Sequence, residues 1–542
     1  MILIFEIFRM NVNMRSSPDT GSKSLWISLS VFFAVCAAYY ILSITKTDGH
    51  YVYPIDDAYI HLAMAKNFAF YEVWGVTRHE FSSTSSSPLF TLLLSFLIKI
   101  FGNNDQIPLG VNLIFGAGTV YILNLYFGSL FSKVTPVVLS VLFTLFISVL
   151  HLQVLSGMEH VLHVFLFALN IYCLTRLENK RTLLGFYLSL VLMGLVRFES
   201  MFYFAVLAFA FMVLKKWERA VFILLAGFIP IAVFCYINYQ HDGYLFPNSV
   251  VVKGTKLPFD SHLPHQLKQI FLDNFLLNIS FYKIGFFPIL IGLVLLFRDF
   301  KNEKFQRTVQ DNFLLIVMSL VMICHSMFAD LKGLFRYEAY LLVGFFMAII
   351  PEVKGFIEDF GSYFKKEKGL SVFILMNVLL LFYKSFSAHQ MLSEGGKNIY
   401  EQQIQSAKFL HAYYNEAEVV ANDIGAVTYF TDIHLLDTAG LGSTETIPFN
   451  ENKRKPDPAF EYFLTRYTAD RKYDIAVIYD AWLKPYIPKN WKKAAVLKIK
   501  NPVTVARDEV SIYSVNNAAL PELKENIRKF KWNRNVQVTV VD

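Results

Sequence analysis

Two adjacent carboxylates stand just after the first long apolar segment of the chain. The stretch YVYPIDDAYIHLAMAKNF, residues 51–68, puts Asp56 and Asp57 at the start of a segment that is predicted to form a short helix. A carboxylate can act as a general base that takes a proton from a hydroxyl group, and aspartate is also favoured at helix N-termini. One of the two could therefore cap the helix while the other is available for catalysis. The pair is the first candidate for a catalytic site.

A second set of polar residues lies at the ends of later apolar segments. Ionisable groups beside membrane spans are energetically costly, so they usually have a function. Arg and Lys side chains can bind a phosphate and stabilise the charge that builds on it as it leaves. The candidate substrate-binding residues are Glu80, Glu159, Arg197, Glu199, Asn248, Lys253, Arg336 and Tyr337.

Structural roles stay open for several of these residues. Glu159 could form an ion pair with a neighbouring Arg, and Arg197 and Glu199 could satisfy each other at a turn between two spans. A divalent metal is a further alternative, with Glu159 and His160 as the candidate ligands, although their spacing matches no established ligand pattern. The sequence therefore leaves the cofactor unknown.

The composition is typical of an integral membrane protein. The chain has 542 residues, of which 55% are hydrophobic and only 17% are charged. Hydropathy and the positive-inside rule together predict about eleven membrane spans. These spans are predicted at residues 25–45, 108–131, 136–155, 160–176, 182–198, 199–214, 219–238, 281–298, 312–328, 337–352 and 370–387.

The short apolar segment 88–100 decides the direction of every later span. It contains Lys99 and is shorter than the roughly 20 residues that cross a bilayer, so we predict a juxtamembrane helix. Residues 1–24 are then a cytoplasmic tail, residues 25–387 a transmembrane catalytic domain, and residues 388–542 an extracytoplasmic domain. With this topology, all the candidate residues fall on the outer face of the membrane.

The C-terminal residues have the composition of a small water-soluble domain. Charged residues return, and the apolar stretches EVVAN, YDIAVIY and VSIYSV have the length of strands, after a segment YEQQIQSAKFLHAYY with helical patterning. We predict an α/β or α+β domain. Asp423, Asp432 and Asp437 beside these stretches are typical of turns. Nucleic acid is disfavoured as a partner because the domain is placed outside the membrane.

Together these features describe sugar transfer from a polyprenyl-phosphate donor to a hydroxyl of a glycan or lipid acceptor. A site at the hydrocarbon boundary suits a lipid-linked phosphate, with a carboxylate as base and cations to hold the phosphate. One alternative is a transporter or flippase of lipid-linked saccharides, which would place ionisable groups along a path near the bilayer midplane. Another is a non-catalytic envelope assembly protein, which would tolerate neutral substitution of both aspartates.

The ordered motifs IDDAYIHLAMAKNF, HEFSSTSSSPLFTLLLSFL, SGMEH, LVRFES, YLFPNSVVVKG and FRYEAYLL resemble those of bacterial glycosyltransferases of the GT-C superfamily. The similarity is greatest to the branch of arabinofuranosyl- and lipopolysaccharide-type sugar transferases, and ANDIGAVTYFTDIHLLDTAGLG resembles the outer C-terminal domain of that branch. The resemblance implies a multi-pass α-helical enzyme of the bacterial cytoplasmic membrane, with juxtamembrane helices and a small C-terminal α/β domain outside.

The resemblance also implies roles for particular residues. In the superfamily the first residue of the acidic pair usually serves as general base, which is Asp56 here, with Asp57 as the second choice. Transfer is then expected to invert the sugar's anomeric configuration. Some members use a divalent metal and others do not. This chain departs from the family pattern in its EFSSTSSSPL loop and its RFE turn, which puts the substrate contacts in question.

Overall fold

Apolar helices occupy the first three quarters of the chain, and a small sheet follows them. The computed structural model describes residues 18–254, 263–300, 305–329, 331, 335–450 and 458–541. The first helices are α1 Pro18–Ile44, α2 Asp57–Tyr71, α3 Pro88–Phe101, α4 Ile107–Gly128, α5 Val134–Ile147, α6 Leu150–Leu155, α7 His160–Leu174, α8 Lys180–Val196, α9 Ser200–Val213, α10 Trp217–Asp242 and α11 Asn248–Lys253.

The later helices complete this helical region. They are α12 Leu263–Lys268, a π-helical turn Gln269–Leu276, α13 Ile279–Ile284, α14 Phe286–Phe300, α15 Phe305–Asp311, α16 Phe313–Phe328, α17 Ala339–Glu352, α18 Lys354–Glu358, α19 Phe360–Lys366, α20 Lys368–Ile399, a π-helical turn Tyr400–Ile404 and α21 Gln405–Tyr413. The predicted tail 1–24 lies mostly outside the described residues, since α1 begins at Pro18.

Among the described residues, four helices are long and apolar enough to cross a membrane, or five if the bent pair Leu263–Tyr282 and Phe286–Phe300 forms one span. Six shorter apolar helices accompany them, Pro88–Phe101, Val134–Ile147, His160–Leu174, Ser200–Val213, Phe313–Phe328 and Ala339–Glu352. Each of the eleven predicted spans falls on one or two helices. The number of spans and their direction stay predictions.

The predicted span 136–155 is not one continuous helix. It is divided between α5 and α6 at Ser148 and Val149, and Val149 has a φ of 54°. Left-handed backbone is unfavourable for a β-branched residue, so it persists only where packing enforces it. Val149 is fully buried. The break lies ten residues before Glu159 in the chain.

Exposed apolar side chains form stripes on the outer helices. In α10, Phe222, Ile229 and Tyr236 are exposed at intervals of seven residues. Exposed apolar surface of this extent is typical of contact with lipid. Helix α3 has an amphipathic pattern, with Leu92 and Phe96 exposed on one face, which fits the predicted juxtamembrane helix.

The C-terminal region contains a six-stranded mixed sheet. Its elements are β1 Glu418–Ala421, α22 Gly425–Tyr429, β2 His434–Asp437, α23 Ile447–Asn450, α24 Ala459–Asp470, β3 Ile475–Ile478, α25 Asp480–Leu483, β4 Lys492–Lys498, β5 Glu509–Ser514, α26 Leu520–Lys529 and β6 Gln537–Val540. The strand order is β2-β1-β3-β5-β4-β6, with β2, β1 and β3 parallel and the others antiparallel. The three predicted strands are confirmed as β1, β3 and β5 of a small sheet near the C-terminus, and the division into domains stays a prediction.

The sheet region is packed directly on the first loop of the helical region. Helix α20 runs without interruption through the predicted boundary at residues 387 and 388 and continues through the π-helical turn into α21. Helix α2 lies against α3 and α22, so most of it is buried. The buried Lys66 of α2 donates a hydrogen bond to the carbonyl of Tyr429 at 2.8 Å. These contacts hold the acidic pair at the junction of the two regions.

Candidate active site

Asp57, the first residue of α2, forms an ion pair with Arg336. Its Oδ2 lies 2.8 Å from Nη2 of Arg336, and its side chain is 34% exposed whereas that of Arg336 is 11% exposed. Burial acts to raise the pKa of Asp57, but the charges of Arg336 and Lys253 outweigh it and lower that pKa to about 2. The carboxylate is therefore charged, accessible and beside two cations.

Arg336 has hydrogen-bonding capacity to spare. Within the described part of the chain, its Nε and Nη1 atoms are buried and have no hydrogen-bond partner. A buried donor without a partner carries a desolvation cost unless a ligand or water meets it. Arg336 is thus able to bind an anion while it keeps its contact with Asp57.

Tyr337 lies between two guanidinium groups. The Cζ atoms of Arg336 and Arg197 are each 5.2 Å from the centre of its ring. Cations at this distance are attracted to the face of an aromatic ring. The ring therefore connects the Asp57–Arg336 pair to a second polar cluster.

Glu159 is the centre of that second cluster and is completely buried. Its Oε1 lies 2.6 Å from Nη1 of Arg197, and its Oε2 lies 3.0 Å from Nε2 of His61. Arg197 also donates through Nε to Oε2 of Glu199 at 2.9 Å. Both structural roles that the sequence left open, the Glu159–Arg pair and the Arg197–Glu199 pair, are thus present in the fold.

The segment that presents Arg336 and Tyr337 is held by a buried ion pair. Oε1 of Glu338 lies 3.1 Å from Nζ of Lys384 in α20, and neither side chain is exposed. The same ammonium lies 4.6 Å from the ring centre of Phe335, whose φ is 62°. Lys384 therefore fixes both ends of the four-residue segment 335–338.

Asp56 has a different environment from Asp57. Its carboxylate accepts hydrogen bonds from the backbone N–H groups of Gly425 at 2.5 Å and Ala426 at 2.8 Å, at the start of α22. It makes no side-chain cap to its own helix α2. A Cβ at Gly425 would lie 2.1 Å from the carbonyl oxygen of Asp56, so only glycine allows this approach. The sequence allowed one of the two aspartates to cap α2. Asp56 does not cap α2 but caps the N-terminus of α22 instead.

Asp56 also interacts with the carboxyl group of Asp423, and one proton held between the two groups would remove their repulsion. Burial raises the pKa of Asp56 to about 6, although the N–H groups of α22 act to lower it. Burial, together with the nearby charge of Asp56, raises the pKa of Asp423 well above its ordinary value. Because Asp56 already accepts two N–H bonds, the proton belongs on Asp423, which also accepts a hydrogen bond from Gln403 at 2.7 Å. Asp423 is thus not simply a turn residue.

This shared proton makes the stability of the junction depend on pH. Folding raises the pKa of Asp423 well above its ordinary 3.8, so the bound proton stabilises the folded state fully below about pH 4, and this contribution is lost as the pH rises through the raised pKa. Asp423→Asn keeps a donor to Asp56 at every pH. We expect the unfolding temperature of the wild type to fall, relative to that of Asp423→Asn, as the pH is raised from about 4 through the pKa of Asp423. Unfolding followed by tryptophan fluorescence in nanodiscs measures the difference, and parallel curves would contradict the shared proton.

The remaining predicted site residues lie around these clusters or apart from them. Lys253, the last residue of α11, is exposed and acts electrostatically on Asp57 and Asp437. Asn248 is buried and ties α11 to neighbouring loops, through its N–H to the carbonyl of Ser83 and its Nδ2 to the carbonyl of Leu441. Glu80 is exposed and lies beside two tyrosines of the C-terminal region, Tyr467 and Tyr473, not beside Asp57.

The proposed metal ligands do not form a ligand set. One oxygen of Glu159 is bound by Arg197, and Nδ1 of His160 is 3.9 Å from the other. No group of three or more His, Cys, Asp or Glu side chains in the described residues has the arrangement needed to hold a metal ion. Glu159 and His160 as placed here therefore do not fit a metal.

Sequence reasoning missed several residues of the site. His61 is buried and contacts Glu159. Its position four residues after Asp57 puts both on one face of α2, and this spacing could have identified it. Asp423, Glu338 and Lys384 had no such signal, because their partners are distant in the sequence or on another helix.

Comparison with known proteins supports the fold. A profile for a domain of unknown function (DUF8728) matches residues 397–513, which contain most of the C-terminal sheet. No curated protein matches the chain in sequence. Two crystal structures of ArnT from Cupriavidus metallidurans match it, one bound to undecaprenyl phosphate and one in the apo state.

The match to ArnT extends over nearly the whole of both proteins. Each ArnT structure has a TM-score of 0.50 and 11% sequence identity, and the alignment covers 91% of this chain and 98% of ArnT. An identity this low supports the fold and not the activity. The chain therefore has the multi-pass helical membrane fold of ArnT, with a small sheet near its C-terminus.

Proposed function

We propose that the protein is a membrane glycosyltransferase that moves a sugar from a polyprenyl-phosphate donor to a hydroxyl of a cell-envelope glycan or lipid. The observation that carries this proposal is the accessible Asp57 carboxylate beside Arg336 and Lys253. A base next to two cations is the minimum set for deprotonating a hydroxyl and accepting a leaving phosphate. Catalysis is proposed on the outer face of the bacterial cytoplasmic membrane. The fold shared with ArnT, solved with undecaprenyl phosphate, agrees with a lipid-phosphate donor.

Arg336 and Lys253 are the proposed phosphate ligands. Arg336 has two buried nitrogen atoms without partners, and Lys253 is exposed, with no ion pair to any described residue. Arg197, the third cation expected to hold the phosphate, is already bound by Glu159 and Glu199. We therefore assign Arg197 a positioning role, in which it fixes Tyr337 and through it the orientation of Arg336.

Asp57 is the proposed general base. The family resemblance favours Asp56, but both oxygens of Asp56 accept backbone N–H groups and its side chain is buried, whereas Asp57 is accessible. A base must first be within reach of the hydroxyl, and only then does its pKa matter. When a phosphate shares the charge of Arg336 and Lys253, the pKa of Asp57 rises from about 2, so donor binding makes the base stronger.

The proposed reaction is a single displacement. Asp57 takes the proton of the acceptor hydroxyl as its oxygen forms a bond to the anomeric carbon of the sugar. The bond from that carbon to the phosphate oxygen breaks, and the electron pair leaves with the polyprenyl phosphate. Arg336 and Lys253 stabilise the charge that develops on this phosphate. The hydroxyl attacks opposite the leaving phosphate, so the anomeric configuration inverts.

The proposal is tested by an assay of transfer with the full chain in lipid nanodiscs. Purified protein is incubated with a panel of radiolabelled polyprenyl-phosphate sugars and an envelope glycan extract, and radioactivity in the glycan is measured. Transfer by the wild type supports the enzyme. Movement of the labelled lipid across a vesicle bilayer without any transfer would favour a flippase, and neither activity would favour an assembly protein.

Lys253→Gln is expected to raise the KM for the lipid donor about tenfold and to lower kcat as well. A charge-assisted hydrogen bond to phosphate contributes about 1.5–3 kcal/mol, and its loss weakens both the binding of the donor and the stabilisation of the charge on the leaving phosphate. The measurement is transfer rate against donor concentration. Lys531→Gln, at an exposed lysine in the C-terminal region, is the matched control and is expected to behave as wild type. An unchanged KM in Lys253→Gln would remove this lysine from the phosphate site.

A further inference from the structure

A polar cleft lies at the junction of the helical and C-terminal regions, away from the Asp57 cluster. Its volume is about 460 Å³, within the roughly 300–1,000 Å³ typical of ligand sites. Residues 103–105, between α3 and α4, line one side, residues 429–432 line the other, and Lys66 of α2 also lines it. The cleft is therefore built from segments that are far apart in the sequence.

Hydrogen bonds join the two sides of this cleft and fix its width. The hydroxyl of Tyr429 donates to Oδ1 of Asn103 at 2.9 Å, and the ammonium of Lys66 donates to the carbonyl of Tyr429 at 2.8 Å. The Oδ1 of Asn104 accepts the N–H of Gln106 at 2.8 Å. Both sides are thus held in place before any ligand binds.

The same residues leave a set of hydrogen-bonding groups for a ligand. Over the described ranges of the chain, the Nδ2 atoms of Asn103 and Asn104 and the Oδ2 of Asp105 have no protein partner. Residues 429–432 line the side opposite them. Amide donors and a carboxylate acceptor together suit the hydroxyl groups of a sugar.

The charged residues that line the cleft make it unsuitable for binding a phosphate group. Lys66 is its only basic lining residue among those described, and that ammonium is already bonded to a carbonyl and buried. Asp105 and Asp432 contribute two carboxylates, of which Asp432 lies 3.7 Å from Arg78. An anionic headgroup would lie against two carboxylates, and the one described basic residue of the lining is already bonded to a carbonyl. An uncharged saccharide needs no cation to balance its charge.

We propose that this cleft binds neutral sugar residues of the acceptor glycan, an inference that rests on the proposed function. Lys66 follows Asp57 by nine residues on α2, which corresponds to about 14 Å along the helix axis. A glycan anchored in the cleft must span at least this distance to bring a hydroxyl further along its chain to the Asp57 carboxylate. The cleft thus determines which acceptor is used, whereas the Asp57 cluster performs the transfer.

The test measures saccharide binding without turnover. Full-length protein in nanodiscs is studied by saturation-transfer difference NMR with neutral trisaccharides of glucose, mannose, galactose and N-acetylglucosamine. Asn104→Asp keeps the acceptor for Gln106 but replaces the amide donors with a second carboxylate beside Asp105. Asn179→Asp is the matched control, because Asn179 is an exposed asparagine whose Oδ1 accepts the N–H of Arg181 at the same distance of 2.8 Å.

We expect at least one trisaccharide to bind the wild type and Asn179→Asp equally, with a dissociation constant about tenfold higher or more for Asn104→Asp. Equal binding by all three proteins would overturn the proposal, and so would a wild type that binds no trisaccharide. Asp57→Asn is expected to bind the saccharide as the wild type does. If the wild type binds a saccharide but shows no sugar transfer, the proposed function is refuted. The assignment of the cleft as a saccharide site would still stand.

Discussion

Asp57→Asn is expected to lower sugar transfer by a factor of about a hundred or more. General-base catalysis contributes roughly 10²–10⁴-fold, and an amide cannot accept the proton of the acceptor hydroxyl. The loss should appear in kcat. The KM for the lipid donor should not rise, because removing the carboxylate leaves Arg336 with its full charge for the phosphate. Initial rates at several donor concentrations separate these two effects.

Asp56→Asn is the decisive comparison for Asp57→Asn. Its amide would place an N–H group against the N–H of Gly425 or Ala426, so the contact between α2 and α22 weakens. We expect a loss of transfer below about tenfold, accompanied by a lower unfolding temperature. A hundredfold loss in Asp56→Asn at unchanged stability, with Asp57→Asn still active, would assign the base to Asp56 instead.

Lys384→Met is expected to destabilise the protein by about 3–5 kcal/mol. Lys384 and Glu338 are completely buried, and removing one member of a buried ion pair leaves the other charge without compensation. The free energy of unfolding can be measured in mixed micelles by tryptophan fluorescence. Because Glu338 ends the segment that presents Arg336, the folded fraction of this variant should also bind the lipid donor less tightly.

The double variant Glu338→Met/Lys384→Met separates charge from shape. Replacing both members of a buried pair by apolar residues of similar volume is often neutral or stabilising. We therefore expect it to recover most of the stability that Lys384→Met loses. The double variant could instead have the same free energy of unfolding as Lys384→Met. In that case the packing of the lysine stem on Phe335 would stabilise the fold, and the ion pair would not stabilise it.

The helices and the main strands could be predicted because their signals are local. Apolar runs and basic loops placed a helix at each of the eleven predicted spans, and apolar stretches of strand length identified β1, β3 and β5. The boundary was predicted between residues 387 and 388 because the apolar run ends there. Helix α20 nevertheless continues past this point to Ile399 as an amphipathic helix. A change of environment along one helix leaves no break in its helical pattern.

The composition of the site was only partly predictable. Arg336, Tyr337, Arg197 and Glu159 were found because a charge or a polar ring at the end of an apolar segment is unusual. Asp423 looks like any aspartate near a strand, and Lys384 looks like a lysine near the end of a span. What distinguishes them is a partner on another element. A single sequence carries no information about such pairings.

The contact between Asp56 and α22 also bears on how the protein is made. The two hydrogen-bonded residues, Asp56 and Gly425, are 369 positions apart in the chain, so nearly the whole helical region must be synthesised before they can meet. Contacts between such distant segments form late in folding. The loop that carries Asp57 therefore reaches its final form only after Gly425 has left the ribosome. A nascent chain that stops early would hold no assembled acidic pair and no complete glycan cleft.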